Sequence, residues 1–140
     1  MNGRKSLAIL QRVVCPLLVL SLLLVVVGGV FAGSAPPSSD VQRLAGRWLR
    51  PDGGYILQLS SPGPAGQLQA AYFNPKPINV ARAEWRQTKE GLDVFVELRD
   101  VNYPGSTYTL HYDPVAEQLK GIYFQAAMRQ QYEVEFVRQQ

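Results

Sequence analysis

Beyond the first 35 residues the chain has one histidine, His111, and no cysteine; its single cysteine, Cys15, lies in an apolar leader. A serine or cysteine nucleophile needs an activating base, and a zinc site needs clustered ligands. One isolated imidazole makes neither. His111 alternates with Thr109 and Asp113, on the polar side of its segment, where solvation is the ordinary state of a histidine. The carboxylates Asp93, Glu97, Glu133 and Glu135 fall on outward parity too. Glu133 and Glu135 are two apart on one strand, hence side by side, not opposed across a cleft as glycoside hydrolysis requires. No glycine-rich phosphate loop leads from a strand into a helix. Gly53-Gly54 reads as a hairpin turn instead. The expectation is a non-enzymatic protein with no catalytic residues, no metal and no cofactor.

The aromatic residues carry the binding chemistry. All seven tyrosines and both tryptophans lie after residue 40. Every tyrosine except Tyr103 shares the parity of the apolar residues around it. A buried tyrosine needs a partner for its hydroxyl, and in a barrel the partner is another tyrosine, a glutamine such as Gln125, water or a ligand. Trp48, Tyr72, Trp85, Tyr108 and Tyr123 are therefore the candidate lining of a cup for a small apolar or aromatic ligand. The alternative is that these rings simply fill a narrow barrel. A second candidate surface lies at one barrel end, where the Pro-bearing loops of Pro75 and Tyr103 are joined by the loop of Met128, and these residues could meet a protein partner as preordered contacts.

These residues need elements to hold them, and a repeat shows how the elements are laid out. Residues 67–73 read QLQAAYF and residues 118–124 read QLKGIYF. Each copy follows a Tyr-x-Leu segment, Tyr55-Ile56-Leu57 before the first and Tyr108-Thr109-Leu110 before the second. Turn residues recur about every ten positions, with period-2 alternation between them, the pattern of a sandwich or barrel. Eight strands are expected: 47–49, 55–59, 67–73, 79–87, 92–99, 107–112, 119–125 and 131–137. On the fourth, Ala81, Ala83 and Trp85 are expected inside. The fold class is all-β: an eight-stranded antiparallel up-and-down barrel with an internal pseudo-twofold repeat. An N-terminal hydrophobic export or anchor helix precedes it. Closure removes the two edges a meander leaves exposed.

Charge and leader set the compartment. Arg4, Lys5 and Arg12 precede the apolar stretch 13–27, and small residues follow it, which is the layout of an export signal. The stretch 13–32 is also long enough to span a bilayer as a helix. Residues 1–32 are thus a signal peptide or a signal anchor, 33–43 a Pro/Ser-rich linker, and 44–140 the barrel domain. The protein is expected to be exported, periplasmic or secreted, and tethered to the membrane only if 13–32 stays attached. Removing the three leader cations from the 14 basic residues leaves 11, against 11 acidic residues. The net charge of +3 belongs to the leader, so no basic face is on offer and no nucleic-acid partner is expected.

Gly46-x-Trp48 opening the first strand, followed by eight meandering strands, resembles the calycin-type barrels: lipocalins, fatty-acid-binding proteins and avidins. In size the chain is also similar to the small barrels that inhibit bacterial metalloproteases, though without their disulfide. The resemblance covers residues 44–138 and implies a lipocalin-like barrel that binds a small ligand. Its alternative is a protease-inhibitor-like module acting through the loops at one end.

Overall fold

The computed structural model describes residues 39–140. The expected export or anchor segment and the first part of the linker lie outside these residues. Within them the alternating runs become nine antiparallel strands: β1 (Gly46–Arg50), β2 (Tyr55–Ser60), β3 (Gln69–Asn74), β4 (Lys76–Ile78), β5 (Val80–Gln87), β6 (Leu92–Asp100), β7 (Tyr103–Asp113), β8 (Gln118–Gln125) and β9 (Gln130–Arg138). They form one sheet in the order β4-β3-β2-β1-β9-β8-β7-β6-β5. The first strand pairs with the last through Trp48↔Arg138 and Leu49↔Val137. The barrel's seam lies at the β5 edge, where a bridge joins Gln67 to Glu84 and Trp85 N–H donates to Gly66 O at 2.9 Å.

The count of eight is corrected to nine, and the extra strand is β4, cut from a stretch read as a turn. Lys76 to Gln87 is one extended run broken at Asn79. Before the break it pairs with β3, through Tyr72↔Ile78 and Phe73↔Pro77; after it, the run pairs with β6. Asn79 makes the break because its backbone N–H donates to the Asp100 carboxylate at 2.9 Å and its side-chain amide to Arg99 O at 3.0 Å. Pro77 has no N–H for a ladder, so it suits a short segment at the sheet's edge. Ala81 is exposed, not inside. A register shift between Val80 and Arg82 inserts one residue, so Val80 and Ala83 both pack against the core.

Strand β6 shows why alternation builds the wall: Leu92, Val94, Val96 and Leu98 are buried, and the residues between them are not. The two copies of the repeat occupy corresponding strands but different registers. Tyr72 lies across from Leu57, whereas Tyr123 lies across from Tyr108, the counterpart of Tyr55. The slip is two residues. Because side chains alternate with period 2, it leaves every residue on its own face.

One end of the barrel is closed. Residues 39–43 of the expected linker form a helical turn, α1 (Ser39–Arg43), and Val41 and Leu44 enter the core. Trp48 is buried beneath it, with its indole N–H on Leu44 O at 2.9 Å. The Arg138 guanidinium lies 4.3 Å from the Trp48 ring and donates to Ala45 O and Arg43 O. Glu117 joins Arg43 at 2.7 Å and Arg138 at 3.0 Å. Its carboxyl is held below the usual range, chiefly by the Arg43 hydrogen bond. Gly46 is required here: its φ is +145°, and a Cβ would sit 2.5 Å from Arg138 Nη1.

Candidate functional site

With β4 and β5 forming one extended run, the chain passes alternately toward and away from the closed end. The β1–β2, β3–β4, β6–β7 and β8–β9 turns therefore gather at the opposite end. There the barrel opens into a cup of about 290 Å³. Its wall is mostly tyrosine: Tyr55, Tyr72, Tyr103, Tyr108, Tyr123 and Tyr132. Below it the interior is filled by Leu57, Val96, Leu98, Leu110 and Phe136, all essentially inaccessible. The barrel is thus packed beneath the cup.

The floor is a chain of contacting rings. Tyr72 and Tyr108 bring their hydroxyls to 2.8 Å with ring centroids 5.6 Å apart. Tyr108 stacks on Tyr123 at 4.6 Å, and Phe136 meets Tyr108 edge-on from beneath at 5.3 Å. Burial drives both floor hydroxyls upward. Tyr108 is pushed up to about 12, against the opposing pull of hydrogen bonds from Tyr72 and Arg50. Tyr72 rises further, because burial is reinforced by the neighbouring Tyr108. Both are neutral hydroxyls at physiological pH.

Arg50 is the one charged side chain in this wall. It lies two residues after Trp48 on β1, so it points to the same inner face, but at the mouth instead of the base. Its side chain is only 11% exposed. Nε and Nη2 each donate to an Asp52 oxygen at 2.7 Å, and Nη1 donates to Tyr108 Oη at 3.3 Å. The guanidinium lies 4.9 Å from the Tyr55 ring and 5.6 Å from the Tyr123 ring. Burial alone would lower its pKa, but the hydrogen bonds to Asp52 and Tyr108 more than offset this, and it stays charged. The rim is braced as well. Asn74 Nδ2 donates to Tyr103 Oη at 2.6 Å, and Ser106 Oγ accepts Ala126 N–H at 3.1 Å.

Of the aromatic residues expected to line a cup, the structure brings together Tyr72, Tyr108 and Tyr123. Trp48 lies at the closed end under Arg138. Trp85 lies at the seam, with its indole N–H on Gly63 O at 2.9 Å. Tyr103, expected as a loop contact for a partner, is a half-buried wall residue of the cup. Pro75 and Met128 stand exposed on the surrounding turns, Met128 at 61%. Sequence reasoning passed over Arg50, although its parity with Trp48 marked it as a charge on the core face. Asn74, Asn102 and Gln125 complete the lining from the turns, where no periodicity announces an inward side chain.

Other concavities are built differently. A shallower outer groove of about 610 Å³ runs where β9 continues past its short pairing with β1, between Pro51-Asp52 and Ile122. It is larger than the cup but has no aromatic side chain and no buried polar group converging on it. His111 pairs with Asp93 directly across the β6–β7 ladder at 2.9 Å, half exposed. Among the described residues, no group of three or more histidine, cysteine, aspartate or glutamate side chains is placed to hold a metal. Compared with protein-family models, curated proteins and solved structures, the chain matches none.

Proposed function

We propose that this chain is an exported, non-enzymatic binding module that holds a small aromatic ligand in the tyrosine cup at the barrel mouth. The observation that carries the reading is the cup itself. Six tyrosine rings, Tyr55, Tyr72, Tyr103, Tyr108, Tyr123 and Tyr132, and one largely buried guanidinium line a space of about 290 Å³. Ligand sites are concave, with a few fixed polar groups among apolar or aromatic walls, and this volume suits a single substituted ring. A long aliphatic ligand is disfavoured because Leu57, Leu98 and Phe136 fill the space beneath the floor. One closed end and one open end are compatible with the calycin-like resemblance. A doubled four-strand unit accounts for Tyr72 and Tyr123 arriving at one cup from two copies of the same segment. Export rests on the leader, residues 1–32, acting as signal peptide or anchor.

Nuclear magnetic resonance of the labelled domain with a set of single-ring fragments tests the proposal. Amide shifts clustered at Asn74, Asn102, Tyr103 and Gln125 support it; shifts confined to the outer groove, or none, count against it. The alternative reading is docking of a protein on the mouth rim. It rests on Val101 at 92% exposure, Met128 and Pro75, which stand out from three of the four turns. A partner that binds with the cup already occupied by a fragment would favour that alternative.

A further inference from the structure

The one charge in the cup wall is a guanidinium with donors to spare, and that names a ligand class. A guanidinium has five N–H donors and no acceptor. Arg50 uses three of them, two on Asp52 and one on Tyr108, leaving two. Tyr72 and Tyr108 share one hydrogen in their mutual bond, and among the described residues the second hydrogen of the pair has no acceptor. Both rings are essentially buried, at 2% and 0% exposure, so that hydrogen lies beneath the surface of the cup, out of direct reach of water or a ligand. Tyr103 Oη already accepts from Asn74, which leaves its own hydrogen to give. Asn74, Asn102 and Gln125 add amide donors and acceptors, but the only charge in the wall is Arg50, and that charge is positive.

The geometry points to a small aromatic carboxylate as the ligand, with its carboxylate on the spare N–H groups of Arg50 and its ring against the tyrosines. This rests on the cup being a binding site and specifies what enters it. Asp52 shows what Arg50 accepts: a carboxylate in two parallel hydrogen bonds, the geometry a guanidinium favours. Asp52 is the resident anion, 59% exposed on the β1–β2 turn and outside the cup lining. It offsets the charge of Arg50 and, as a like charge close by, opposes a second carboxylate there. A neutral isostere of the ligand meets no such repulsion and gains no such contact.

Calorimetric titration of the folded domain with benzoate, benzamide and cyclohexanecarboxylate separates the possibilities. Benzoate is expected to bind at least about tenfold more tightly than benzamide, as charge-assisted hydrogen bonds exceed neutral ones. Asp52→Asn is expected to tighten benzoate by roughly threefold or more and to leave benzamide unchanged, because it removes a nearby like charge. Benzamide binding as tightly as benzoate, or Asp52→Asn weakening benzoate, overturns the carboxylate assignment while the cup remains a binding site. Cyclohexanecarboxylate matching benzoate overturns the aromatic requirement. Failure of all three probes, with no fragment shifting the mouth amides, overturns the cup itself. Arg50→Met is expected to abolish the preference for benzoate over benzamide; Asp52 lies on an exposed turn, so its variant tests the assignment even if Arg50→Met fails to fold.

Discussion

Tyr108 concentrates the physical chemistry of the site in one side chain. It is inaccessible, stacks on Tyr123, touches Tyr72 through its hydroxyl and accepts from Arg50. Burial disfavours its phenolate, so its pKa rises from about 10 to about 12 in the fold. Tyr72 is shifted in the same direction by the same cause. A group whose folded pKa is raised stabilises fully below the unfolded value and loses that contribution as pH climbs to the folded value. Stability should therefore hold up to about pH 10 and fall between pH 10 and 12. The slope should be about 1.4 kcal/mol per pH unit for each fully shifted tyrosine. Urea unfolding across that window measures it, and Tyr72→Phe should make the fall shallower. Tyr108 and Tyr72 were legible from parity alone. Arg50 was equally legible from its spacing to Trp48, but a charge at a core position is easily read as the end of a strand.

Strands and turns decide how closely the walls approach. Gly121 in β8 takes the place that Ala70 has in the first copy of the repeat, and its neighbour across the ladder is Leu110. A Cβ there would lie 2.0 Å from the Thr109 carbonyl oxygen, a backbone atom that cannot swing away. Gly121→Ala should therefore spread β7 from β8 and destabilise the domain by roughly 3 kcal/mol, the upper range of overpacking. Chemical denaturation reads this directly, and an unchanged midpoint would contradict it. The same scale explains what alternation could not show. The break at Asn79 and the bulge after Val80 arise from hydrogen bonds to Arg99 and Asp100, some twenty residues away in sequence. A period-2 pattern carries no mark of a partner that distant, so the ninth strand and the outward turn of Ala81 were invisible to it.

The barrel has two unlike ends. At the closed end α1, Trp48, Arg138 and Glu117 lock the barrel, and at the other the tyrosines leave it open. Arg138→Ala removes the contact over the Trp48 ring and two bonds to backbone carbonyls, from Ala45 and Arg43. The expected cost is about 3 kcal/mol, from one cation–π contact and charge-assisted hydrogen bonds. A cup lying at the far end should keep its ligand affinity at temperatures where the variant stays folded. Thermal unfolding together with benzoate titration of this variant checks both halves. The sequence by itself determined the all-β class, the inward face of most strands, and the tyrosines that share it, because alternation and turn residues are local properties. Only the tertiary structure decided that the barrel is filled below and open above, that Trp48 and Tyr72 serve opposite ends, and that Arg50 faces Tyr108. Those facts depend on register, on closure of β1 against β9, and on which turns gather at one rim. Register and closure are set by contacts between residues tens of positions apart, which no local pattern encodes.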